Sequence, residues 1–117
     1  MLCRSVEERW FGVRCHFRHG QPAKAGEPAL YEERIVLIEA GSIDEAIEKA
    51  EAEAKEYISL LNNVEFLDAA DAYRTPEERI GSGSEIYSLM RASELSDDKY
   101  LDNFFHTGKE RTRHHDK

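Results

Sequence analysis

Cysteine is nearly absent. Cys3 and Cys15 are the only two in 117 residues, too few for a disulfide framework and without the short Cys and His spacings that a four-ligand zinc site draws on. Cys15 reads as a small core residue and Cys3 as incidental. Long apolar runs are missing as well. The opening "MLCRSVEERWFG" carries charges where a secretory signal holds an apolar stretch of about 7–15 residues, and no run approaches the ~20 residues that cross a bilayer. A cytoplasmic protein without a membrane partner is the expectation. Basic charge is the third shortage: 16 Lys and Arg stand against 24 Asp and Glu, a formal charge of −8. Residues 106–117 hold Lys109, Arg111, Arg113 and Lys117 against Glu110 and Asp116, a balance of +2, which leaves −10 for residues 1–105. Such a field repels nucleic-acid phosphates, so no nucleic-acid partner is expected, and it attracts basic proteins.

What is present suffices for one core. A chain of this length buries a single hydrophobic centre without staples, and five Phe, five Tyr and one Trp argue against disorder. In "WFGVRCHFR" at 10–18, Phe11, Val13, Cys15 and Phe17 alternate with Trp10, Arg14, His16 and Arg18, the pattern of a half-buried strand. The Gly- and Pro-containing "HGQPAKAGEPA" is a loop leading into a second strand at 31–40, and the two are expected to pair antiparallel. That second strand poses a question. Ile35 and Leu37 point to one face and Val36 and Ile38 to the other, so both faces want cover.

Gly41 and Ser42 end the strand, and "SIDE" reads as a capping box in which Ser42 accepts from the backbone and Glu45 reaches back to the cap amide. Ile43, Ala46, Ile47, Ala50, Ala54, Tyr57, Ile58 and Leu61 then form one helical stripe that covers one side of the sheet. A third strand is expected at 64–74, "VEFLDAADAYR", and a fourth at 85–93, "EIYSLMRAS". Ser96 caps a last short helix with Tyr100, Leu101, Phe104 and Phe105 on one face. Either this helix or a partner is expected to cover the second face of the sheet. The predicted architecture is α+β: a four-stranded sheet in the order strand, strand, helix, strand, strand, plus a short C-terminal helix. One domain over residues 1–105 is followed by a disordered basic tail over 106–117.

The run from Trp10 to Arg14, "YEERIVLIEA" at 31–40, "DEAIEKA" at 44–50, "EIYSLM" at 85–90 and "LSDDKYLDNFF" at 95–105 together resemble a family of small bacterial proteins, domain-of-unknown-function family 4288. The resemblance spans about residues 9–105. It implies the fold and a bacterial origin, and it brings no catalytic residue, since the family has none established.

The residues themselves offer little chemistry. Glu32 and Glu33 are adjacent on a strand and point to opposite faces; Asp68 and Asp71 are three apart and separate unless a bulge intervenes; His16 and His19 differ in parity. "GSGS" at 81–84 lacks the length and the Lys of a phosphate loop. No catalytic residue, cofactor or metal is assigned. Three surfaces remain as partner-binding candidates: the row Trp10, Arg14 and Arg18 with His16; the acidic helix face with Glu45, Glu48, Glu53 and Glu56; and the aromatic face Tyr100, Phe104 and Phe105. The leading expectation is a non-catalytic acidic protein-binding module, an immunity or antitoxin-like protein that neutralises a basic toxin such as a nuclease. The alternative is a homo-oligomeric structural or small-ligand module, in which a free strand edge or the last helix closes a homodimer. A hydrolase using Asp68, Asp71 or His16 comes third.

Overall fold

A computed structural model describes residues 8–76 and 78–105. The elements in order are β1 (Arg9–His19), β2 (Leu30–Ala40), α1 (Ile43–Ser59), β3 (Val64–Arg74) and α2 (Asp97–Phe104). Cys3 and the 106–117 tail lie outside the described residues.

β1 sits in the middle of a three-stranded sheet ordered β2-β1-β3, antiparallel to both neighbours. Its alternation decides what lies beneath. Phe11, Val13, Cys15 and Phe17 all point to one face and are buried, with Val13 and Phe17 at 0% exposure. The β2 ladder runs unbroken from Arg9 opposite Ala40 to His19 opposite Leu30. The β3 ladder breaks between Cys15 and Phe17, whose partners are Ala70 and Phe66. The extra residues of β3 bulge out there, with Asp68 at φ 59°, an αL conformation that Asp tolerates better than most residues.

α1 lies on the Phe11–Phe17 face. Its start is the predicted cap with one difference: Ser42 Oγ accepts from Glu45 N at 3.1 Å, but Glu45 Oε1 accepts from Gly41 N at 2.7 Å, one residue before the cap amide. Ala46, Ala50 and Ala54 are fully buried. Alanine at these positions lets the helix ride close to the strands, while Tyr57 and Ile58 fill the lower end. Phe17 meets the Tyr57 ring edge-on at 5.3 Å, the geometry aromatic quadrupoles prefer, and lies tilted against Phe66 at 5.5 Å. Burial pushes the Cys15 thiol pKa up, as expected of an inert core cysteine.

The fourth strand is not formed. Residues 85–93 join no ladder and the sheet has three strands. This segment instead crosses the second face of the sheet as a strap. It passes so close over Gly12 that a Cβ placed there would lie 1.7 Å from the Ile86 carbonyl oxygen. Tyr73 donates to Glu85, and the Tyr73 and Tyr87 rings lie 6.0 Å apart. A peptide lying across the face cannot also pair in the plane of the sheet, which is why its apolar residues do not make a strand.

The last helix is present, with Ser96 Oγ accepting from Lys99 N at 3.3 Å, but it does not cover the second face. α2 contacts none of the other elements. Its hydrophobic side packs on its own approach: Tyr100 against Phe104 at 4.8 Å, and Arg91 over the Phe104 ring at 4.3 Å with a bond to the Tyr100 hydroxyl. Among the described residues the strap therefore supplies what cover the second face has. Among the described residues no helix is long and apolar enough to cross a membrane.

The close approach at Gly12 gives a direct prediction. Gly12→Ala should lower stability by about 1–3 kcal/mol and raise amide exchange at residues 85–88 as the strap lifts. Gly81→Ala, where an added Cβ meets nothing within 4 Å, should leave the urea midpoint unchanged or slightly higher. Equal losses in the two variants would show that the strap does not rest on Gly12.

Candidate interaction surfaces

The outward row of β1 is engaged within the chain. Arg14 donates through Nη2 and Nε to Asp71 Oδ2 at 2.6 and 3.2 Å and through Nη1 to Glu33 Oε1 at 3.2 Å. Its guanidinium also lies over the Tyr87 ring at 5.2 Å. The bond from Arg14 holds the Asp71 carboxyl below its usual range, and burial raises the Tyr87 hydroxyl. Arg18 donates to Glu65 at 2.7 Å and to the Gly20 carbonyl at 3.1 Å. Trp10 is half-buried, with its carbonyl accepting from both the backbone and the hydroxyl of buried Thr75, each at 3.0 Å. The row thus ties β1 to both flanking strands and to the strap.

His16 lies beyond the strap. Its Nδ1 is 3.0 Å from the Ala69 carbonyl in the β3 bulge; a carbonyl only accepts, so Nδ1 is the donor of that bond. The adjacent hollow, about 460 Å³, is lined by His16, Tyr31, Glu33, Leu67 and Ala69. His19 is elsewhere, with Nε2 2.8 Å from Glu32. Asp68 and Asp71 are not brought together either: Asp68 lines a shallow hollow of about 550 Å³ beside Arg18, Lys55 and Asn63 at the edge of the sheet, while Asp71 bonds Arg14 on its face. Among the described residues no group of three His, Cys, Asp or Glu is placed to hold a metal ion.

The acidic residues of α1 divide into two sets. Glu53 turns inward and takes a two-pronged clamp from Arg34, both bonds 2.7 Å. Arg34 lies over the Tyr57 ring at 3.8 Å, and the Tyr57 hydroxyl donates to Glu32. The hydrogen bond from Arg34 pulls the Glu53 carboxyl below its ordinary value, and the bond to Glu32 raises the Tyr57 hydroxyl. Glu45 is held in the cap and 3.4 Å from Lys49, and the Gly41 amide lowers its pKa. Glu48 and Glu56 belong to the second set and stand exposed with Asp44. The signal for the inward set was in the sequence: Arg34 falls on the helix-facing parity of β2, where a charge requires a partner from α1. Tyr100 is half-buried on α2, whereas Phe104 and Phe105 are each 46% exposed.

The chain belongs to the family described as "Domain of unknown function (DUF4288)", whose model matches residues 10–88. That span takes in β1 from Trp10, β2, α1, β3 and the strap down to Ser88, and stops short of α2. Comparison with curated proteins finds no match, and comparison with solved structures finds none.

Arg34→Ala should cost about 1–2 kcal/mol, the sum of a partly exposed ion pair and a cation–π contact, read from urea unfolding. The pH response has a definite sign. Because Glu53 is depressed in the folded state, its contribution is fully present above the ordinary glutamate value of 4.5 and is lost as pH falls through the lower folded value. Glu53→Gln should therefore flatten the loss of stability between about pH 6 and about pH 3 relative to the parent chain.

Proposed function

We propose that the protein is a non-catalytic module that binds a basic protein, specifically a bacterial immunity or antitoxin-like protein that neutralises a basic toxin such as a nuclease. The observation that carries this reading is the outer ridge of α1. The helix holds six acidic residues against two lysines, and once Glu45 and Glu53 are committed to the cap and to Arg34, Asp44, Glu48 and Glu56 still face solvent. Arg14, Arg18 and Arg34 are already engaged by carboxylates of the same chain, so the charge left for a partner is negative.

Glu48 and Glu56 are eight residues apart, about 12 Å along the helix. A basic cleft that holds nucleic-acid phosphates presents the complementary field, and an acidic ridge both steers towards it and competes with the phosphates for it. The mechanism is occupation: carboxylates on a rigid helix fill a phosphate site without offering a bond to cleave.

The test is binding and protection. Co-expression with a basic nuclease encoded beside it should restore growth, and the purified pair should form a complex whose affinity falls steeply with salt. The double reversal Glu48→Lys with Glu56→Lys should weaken that complex at least tenfold, about 1.4 kcal/mol, with far-UV circular dichroism unchanged. Absence of any complex at low salt would sink the reading.

A further inference from the structure

β2 is an edge strand of the sheet, and among the described residues no strand pairs with its outer side. Thr75 N donates to the Trp10 carbonyl at 3.0 Å, so the backbone of Trp10 points towards β3 and the pair Trp10 with Glu39 is a non-hydrogen-bonded one in the β1–β2 ladder. The Glu39 backbone must then point outward, and Lys49 Nζ reaches its carbonyl there at 2.9 Å. With a period of two, Tyr31, Glu33, Ile35 and Leu37 likewise turn their N–H and C=O groups away from β1. Among the described residues nothing bonds these groups. Their side chains share the second face, where Tyr31 is 59%, Ile35 40% and Leu37 36% exposed.

Two of the usual defences of an edge, proline and a bulge, are missing from this stretch. Its charges, Glu32, Glu33 and Arg34, are engaged within the chain by Tyr57, Arg14 and Glu53, and a single lysine guards only the last outward residue, Glu39. The opposite edge is different: β3 is broken by the bulge at Asp68, which interrupts any long pairing there.

We infer that β2 pairs antiparallel with β2 of a second copy across a two-fold axis at Ile35, giving one continuous sheet through both chains. The strand is complementary to itself in this register. Outward-facing residues must oppose each other, which requires odd-numbered partners. With Ile35 on Ile35, Glu33 falls opposite Leu37 and Tyr31 opposite Glu39, while the intervening Arg34 falls opposite Val36 and Glu32 opposite Ile38. No like charges meet, and the whole strand is used. The two adjacent registers fail, one setting Arg34 on Arg34 and the other Glu33 on Glu39; an axis at Glu33 sets Glu33 on Glu33, and an axis at Leu37 leaves residues 30–33 with no partner inside the strand. On the second face, Ile35 and Leu37 of both copies make one apolar seam across the axis, which removes from water the side chains that the strap leaves wet. The inference rests on the sheet edge alone and stands whatever the partner of the acidic helix proves to be.

The test is mass and register in the full chain. Light scattering should give twice the 13.5 kDa of one chain. Leu37→Glu sits on an exposed position and sets a carboxylate opposite Glu33 of the second copy, so it should stay folded while the dimer dissociates at least tenfold more readily. Ile35→Pro removes an outward N–H that β1 does not use, and should give a monomer with an intact circular dichroism spectrum. In a Cys3→Ser background, Ile35→Cys should oxidise to a linked dimer, since directly paired residues stand within disulfide reach. A wild-type chain that stays monomeric at high micromolar concentration overturns the inference. So does a dimer that survives Leu37→Glu but is lost on Phe104→Ser with Phe105→Ser, which would place the contact on α2. A dimer that fails to link through Ile35→Cys overturns the register.

Discussion

β1 alone is flanked on both edges, and the rest of the molecule is arranged by what its two faces present. One face offers Phe11, Val13, Cys15 and Phe17, and α1 is drawn onto it by the apolar area that must leave water. The other offers Gly12 in a row of large polar side chains, and the strap crosses at the one position where there is no side chain to block it. β2 and β3 take their registers from this strand, and through them the clamps at Arg14 and Arg34 find their carboxylates.

The elements whose causes are local were legible in the sequence. The alternation at 10–18, the Ser42 and Ser96 caps, the helix stripe and the third strand at 64–74 each follow from neighbours a few residues away. The segment at 85–93 was not legible, because alternation says which side chains share a face and not whether a neighbouring strand is free to pair. One trace of the true arrangement was available. A glycine in the middle of a strand that otherwise carries large residues marks a close approach of another backbone, and Gly12 is that residue. The destination of α2 was likewise beyond local pattern, since an amphipathic helix of two turns specifies a face but no address.

The candidate surfaces were read less well than the fold, for an electrostatic reason. Residue type tells where charge is, but distance across the fold tells which charges cancel. Arg14, Arg18 and Arg34 each find a carboxylate within 2.7 Å or closer, and those pairings subtract most of the positive charge from the sheet. What remains visible from outside is more one-signed than the composition suggests. The exposed carboxylates of α1 thus stand out against a sheet whose arginines are already paired.

The row of alanines beneath α1 has a consequence for how such a protein can change over time. Ala46, Ala50 and Ala54 fix the spacing between helix and sheet, so substitution on that side is constrained by volume. On the opposite side of the same helix Asp44 and Glu48 stand exposed, and substitution there is not constrained by volume. The two sides are written in one continuous stretch of chain yet answer to separate demands, so new recognition surfaces can be drafted on the outside without renegotiating the architecture underneath.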